Sequence, residues 1–115
     1  MKIITSGTKR NRRIAADQRW FVGSIPNPPY DLTKDGATGL DMVVQNWIIC
    51  QTEAQRLVKE IRRYAIEQPE STLWLECIGG RHRSVAVAEI VADYLSVFGI
   101  DAEVQHLELE VAQPK

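Results

Sequence analysis

Residues 73–84, LWLECIGGRHRS, constrain this chain more than any other stretch. A short apolar run meets a glycine pair, then a run of basic side chains, then a segment of helical spacing that begins near Arg83. α/β proteins build oxyanion sites in this way. Glycine lets the backbone approach an anion, and the first N–H groups of a following helix have no partner within the helix. Gly79 and Gly80 therefore predict the turn, Arg81, His82 and Arg83 supply charged donors, and Ser84 supplies a hydroxyl. Arg83 is the leading ligand candidate, because a planar guanidinium can hold phosphate with two bonds. Ser84 serves equally well as a helix cap.

The flanking pattern predicts the fold class. Thr72 to Ile78 is apolar on both faces, with Leu73, Leu75 and Cys77 on one side and Trp74, Glu76 and Ile78 on the other. Such a strand belongs inside a sheet. The segment from Arg83 to Phe98 is apolar nearly all round and predicts a buried helix that Gly99 stops. Asp101 to Leu109 alternates enough to predict a final strand. Strand, helix, strand implies a parallel crossover, with the ligand crevice at the carboxyl ends of the strands. The expectation is an α/β domain with a small, largely parallel central sheet of about four strands flanked by helices, and a phosphate-type loop between a central strand and a buried helix.

Upstream, Lys2 to Thr5 predicts a strand that Ser6-Gly7 ends, and Lys9, Arg10, Arg12 and Arg13 crowd the next segment. That segment reads either as an anion-binding loop or as a solvated one. Trp20 to Ile25 is a second strand candidate, and Pro26, Pro28 and Pro29 force a turn after it. Tyr30 to Gly36 reads as polar loop. Thr38-x-x-Asp41 and Thr52-x-x-Gln55 have the form of helix-start boxes, the second marking a restart or bend. Leu57, Val58, Ile61 and Ala65 then recur at helical spacing up to Pro69, with charged residues on the opposite face.

Composition excludes several classes. The chain of 115 residues is sized for a single domain over 1–115, and its net charge of −1 gives no global pull toward nucleic acid or membrane. No apolar run approaches the roughly 20 residues of a membrane helix, and the N-terminal run is too short for a signal peptide. Cys50 and Cys77 make neither a disulfide framework nor a zinc spacing, so a reducing, cytoplasmic setting is expected. Cys77, His82 and His106 lack paired ligand spacing, so no metal and no cofactor is expected.

Four segments in order, Ser6-Gly7-Thr8-Lys9, Ile25-Pro26-Asn27-Pro28, Thr38-Gly39-Leu40-Asp41 and Cys77-Ile78-Gly79-Gly80-Arg81-His82-Arg83-Ser84-Val85, carry a family resemblance. They resemble the S-F-G-x-K, L-P-N-P, T-G-L-D and C-x-G-G-x-H-R-S-V segments of the RapZ C-terminal domain family of bacterial RNase adapters. The resemblance spans nearly the whole chain and adds Lys9 and Asn27 to the candidate ligand residues. It implies a regulatory domain that senses a phosphosugar, glucosamine-6-phosphate, and contributes to small-RNA binding. It also implies a phosphorylated small molecule as ligand, with RNA or a regulatory protein as further partners, and it leaves self-association open. The kinase-like domain that the family places before this one carries a Walker loop, and this chain has none. Two departures bear on the ligand. Phe21 and Gly23 stand where the family has aspartate and arginine, and the family's basic tail is replaced by LELEVAQPK.

A reading from a different class stays open beside it. Cys77 to Arg83 is C-x5-R followed by Ser84, the loop spacing of cysteine-dependent phosphatases. A thiolate at Cys77 would gain from the helix terminus and Arg83. Against this, period two places Cys77 beside Leu73 and Leu75, facing apolar packing that opposes a thiolate. No motif singles out a general acid among Asp31, Asp35 and Asp41.

Overall fold

The computed structural model describes residues 1–111. Its elements in chain order are β1 (Lys2–Gly7), β2 (Gln18–Phe21), α1 (Tyr30–Thr33), α2 (Met42–Ile49), α3 (Thr52–Glu67), β3 (Thr72–Cys77), α4 (Arg83–Val97) and β4 (Glu103–His106). The four strands form one sheet in the order β2-β3-β1-β4, and every pair is parallel. The α/β class, the strand number and the interior position of β3 are as the sequence predicts. Among the described residues, no helix is long and apolar enough to cross a membrane.

Alternation along the strands sorts the two faces. Ile3, Leu73 and Leu75 are fully buried and join the core with Trp20 and Cys77. Val44, Ile48, Leu57, Ile61, Val87, Val91 and Leu95 bring α2, α3 and α4 onto this side. Trp20 packs edge-on against Tyr64 of α3, with ring centroids 5.4 Å apart. The opposite face is more polar. There Trp74 donates through Nε1 to Ser6 Oγ at 2.8 Å, Arg19 donates to the buried carboxylate of Glu76, and the Arg19 guanidinium lies over Trp74.

Helix boundaries follow local chemistry. α2 and α3 are separate helices, as the second box suggests, and Gln55 bonds back to the Ile49 carbonyl at the end of α2. The wet face of α3 carries the pairs Glu53–Arg56, Arg56–Glu60 and Arg63–Glu67. Gly99 takes φ +75° just past α4, as a left-handed helix stop requires.

Five expectations shift. β1 runs through Ser6 and Gly7 instead of stopping at Thr5, because both stay paired with Glu76 and Cys77 of β3. The second strand is Gln18–Phe21, not Trp20 to Ile25, because the Ile25 N–H turns back to the Val22 carbonyl and the chain leaves the sheet there. Tyr30–Thr33 is a helical turn rather than loop, launched from Pro29, whose carbonyl accepts the Leu32 N–H. The box at Thr38 closes a turn ahead of α2 rather than starting the helix: Asp41 accepts the Thr38 N–H at 2.7 Å, and the helix begins at Met42. The last strand is only Glu103–His106, because the Leu109 N–H folds back to the His106 carbonyl. Residues 112–115 of the tail lie outside the described residues.

Candidate functional site

Because all four strands are parallel, their carboxyl ends share one edge of the sheet. There the segment after β3, residues 78–82, lies between two flanks. One flank continues β1 and β4; the other continues β2 and holds the turn before α2.

On the β1 flank, Lys9, Arg10, Gly79, Arg81 and Glu108 line a cavity of about 340 Å3. Lys9 and Arg10 are brought there by a single turn of 3-10 helix after β1, and the Lys9 N–H is fixed to the Ile78 carbonyl. Arg81 reaches across to donate through Nη1 to the Glu108 carbonyl oxygen at 2.9 Å. The Glu108 side chain itself is 2% exposed. Its Oε2 accepts from the Gly7 N–H at 3.0 Å and from Arg12 Nε at 2.8 Å, and Oε1 accepts from Arg12 Nη2 at 2.9 Å. Arg10 Nε stands 3.6 Å from Oε1. The Arg12 hydrogen bonds, helped by the Gly7 N–H and the charge of Arg10, hold this carboxyl below the usual range against the opposing effect of burial. A strand-end N–H and a guanidinium fork thus already bind one oxyanion here, the protein's own.

Gly80 shapes that contact. It takes φ +74°, and a Cβ would lie 2.5 Å from both the Gly7 nitrogen and Glu108 Cγ. Only glycine lets the loop lie this close to the end of β1.

On the other flank, the start of α4 is covered. A Cβ on Gly39 would lie 2.3 Å from the Ala86 nitrogen and 2.5 Å from the His82 oxygen, so the Thr38–Asp41 turn is pressed against the first turn of the helix. The Gly39 N–H bonds to the Arg81 carbonyl, and Gln45 Nε2 holds the Gly39 carbonyl at 2.8 Å. His82 Nε2 donates to the Ala37 carbonyl at 2.9 Å. Burial pushes the His82 imidazole below its ordinary value of 6.5; the Ala37 bond opposes this, and the charges of Arg81 and Arg83 add to it.

Arg83 turns inward. It is 5% exposed, and its Nη1 donates to the Gly23 carbonyl at 2.7 Å and the Ile25 carbonyl at 3.0 Å. It pins the turn that ends β2. Among the described residues its Nε and Nη2 form no hydrogen bond, yet neither is fully enclosed. Part of the grip expected from the sequence is thus spent on the protein's own carbonyls. Ser84 is fully buried and bonded to Cys77. Asn27 is exposed in the proline-rich loop beyond Ile25.

Cys77 is 2% exposed, with its sulfur beneath the loop. The thiol donates to Ser84 Oγ at 3.3 Å and accepts from the N–H groups of Gly80 at 3.2 Å and Ser84 at 3.5 Å. The neighbours of the sulfur are therefore polar groups of the loop as well as apolar core, a correction to the wholly apolar setting expected from period two. His106 is structural, sharing Nδ1 with the Thr5 hydroxyl at 2.8 Å and pairing Nε2 with Glu89 at 3.1 Å.

The profile of the RapZ C-terminal domain matches residues 1–110. The chain belongs to the RapZ C-terminal domain family. It is 32% identical over 117 residues to an RNase adapter protein RapZ of Pectobacterium carotovorum, covering 94% of this chain and 41% of that protein. It is 34% identical over 114 residues to RapZ of Yersinia pseudotuberculosis, covering 90% of this chain and 40% of the relative. It is 33% identical over 123 residues to a protein of Rubrobacter xylanophilus named nucleotide-binding protein, covering 96% and 40%. The chain thus spans about two fifths of the length of these relatives.

Of the eight positions singled out from the RapZ-like motifs, the structure brings Lys9, Gly79 and Arg81 to the cavity. Gly80 lies beneath it, while His82, Arg83 and Ser84 serve the α4 flank and Asn27 lies beyond that flank. Sequence reasoning missed the role of Glu108, which it placed in the expected last strand and in the replaced tail, and the pairing role of Arg12. The available signal was positional: an acid two residues past the last strand of a parallel sheet falls on the same edge as the loop after β1.

Proposed function

We propose that this chain is a phosphate-recognising regulatory domain, and that the phosphate enters the cavity lined by Lys9, Arg10, Gly79 and Arg81. The observation that carries the reading is the convergence of three cationic side chains on one cavity at the carboxyl ends of β1 and β3. Cations at that edge favour an oxyanion through charge-assisted bonds. The cavity volume suits a small phosphorylated metabolite rather than a large cofactor. Family membership supports a phosphosugar, with glucosamine-6-phosphate as the first candidate, and a regulatory role exerted through a protein or RNA partner.

Binding rather than catalysis fits the sulfur. A nucleophile must face its substrate. Cys77 is 2% exposed, its sulfur is occupied with Gly80 and Ser84, and it is not among the residues lining the cavity.

An amide NMR titration with glucosamine-6-phosphate and with inorganic phosphate tests this. Shifts centred on Lys9, Gly79 and Arg81 are expected for both. Shifts confined to the Gly23–Asn27 turn and Arg83 would move the site to the other flank and sink the proposal.

A further inference from the structure

We propose that Glu108 is a built-in competitor for the phosphate site, and that ligand binding displaces its carboxylate from Arg10, Arg12 and the Gly7 N–H. This rests on the reading of the cavity given above and concerns its regulation. Glu108 lines the same cavity as the three cations and is the one acidic residue among the lining groups. Its two oxygens take both prongs of Arg12 and a backbone N–H, the same donors a phosphate would use. Arg10 stands at 3.6 Å, in ion-pair range of Glu108 and exposed enough to turn toward an incoming anion.

The segment carrying Glu108 can move without breaking the sheet. β4 ends at His106, two residues earlier. Beyond it, the tie between Leu107 N–H and the Thr5 carbonyl, the Leu109 turn to His106 and the Arg81 bond to the Glu108 carbonyl hold the segment. A phosphate that takes Arg81 and Arg12 weakens two of the segment's anchors at once. Occupancy of the site would then be read out as release of residues 107–111, which changes the surface presented to a partner.

Calorimetric titration with inorganic phosphate on wild type and Glu108→Gln, with Arg81→Ala as the control for the site, tests the proposal. Glu108→Gln removes the competing charge and keeps the shape, so it is expected to bind phosphate about tenfold more tightly or better, the size of one lost charge-assisted bond. Arg81→Ala is expected to bind more weakly. Equal or weaker binding by a folded Glu108→Gln, with Arg81→Ala still impaired, overturns the competitor while the cavity reading stands. No binding by either wild type or Glu108→Gln overturns both. Hydrogen exchange on the wild-type protein provides a readout independent of any variant. Phosphate should speed exchange at the Leu107 and Leu109 amides, whose bonds to Thr5 and His106 hold the segment, and protection of both on binding would refute displacement.

Discussion

Arg83→Ala should unfold this domain more easily, and the size of the effect follows from where the guanidinium lies. Nη1 makes two charge-assisted bonds, at 2.7 Å and 3.0 Å, to the carbonyls of Gly23 and Ile25. Hydrogen bonds to charged groups contribute about 1.5–3 kcal/mol each. The two are not equal here. Gly23 is half-buried, so water can replace part of its bond, whereas Ile25 is 1% exposed and its carbonyl would be left unmet. Truncation also strips a buried aliphatic stem, and it relieves the cost of holding a charge at 5% exposure. The balance is about 3 kcal/mol of lost stability. For a chain of this length, that lowers the melting temperature by about 12 °C. Thermal unfolding followed by circular dichroism, with a urea titration alongside, measures it. Arg83→Lys should recover part of the loss, because the ammonium keeps the charge and its donors but not the planar geometry that aims Nη1 at both carbonyls. A melting temperature for Arg83→Ala within about 2 °C of wild type would refute the structural role.

Gly80→Ala combines a left-handed φ of +74° with a Cβ 2.5 Å from backbone nitrogen, so it should cost more than about 2 kcal/mol, read as a fall of about 8 °C or more in the same melt. His82 gives a pH dependence whose sign is fixed by burial. Its folded value lies below 6.5, so above 6.5 both states are neutral, and below it the unfolded chain takes up the proton first. Stability should therefore fall as pH drops below 6.5, and His82→Gln should flatten that part of a urea-midpoint profile; an unchanged slope would contradict the assignment. Wild type and Cys77→Ser should be equally inactive toward an activated aryl phosphate, and turnover lost on that one substitution would restore the phosphatase reading.

The architecture was legible because β3 and α4 announce themselves through burial. One face of Thr72–Cys77 is apolar and the other mostly so, apart from Glu76, and the first six residues of α4 are all buried, although Asp93, Ser96 and Val97 near its end are exposed. Strand ends were less legible. Val22 and Ile25 look like strand by propensity and only Gly23 interrupts them, but the pull of Arg83 on the Gly23 and Ile25 carbonyls and the Val22 turn are tertiary effects with no local signature. The site was half legible. Lys9, Gly79 and Arg81 follow from charge and turn chemistry near the strand ends. The division of labour within RHR does not, because which of three adjacent cations faces the cavity depends on the helix phase set where α4 begins. The Gly39 contact on α4 and the Glu108 contact beside Gly80 join residues far apart in the chain. Neither can be seen without the topology that brings all four carboxyl ends to one edge.

The central claim is that the cations of the β1 flank bind phosphate. Calorimetric titration of glucosamine-6-phosphate against wild type, Lys9→Ala and Arg81→Ala tests it most directly, with unphosphorylated glucosamine as the control ligand. Wild type should bind the phosphosugar and hardly bind glucosamine. Arg81→Ala should lose about tenfold to a hundredfold in affinity, the worth of one charged hydrogen bond, and Lys9→Ala should lose less because its side chain is more exposed. Equal affinity of all three proteins for glucosamine-6-phosphate would contradict the claim.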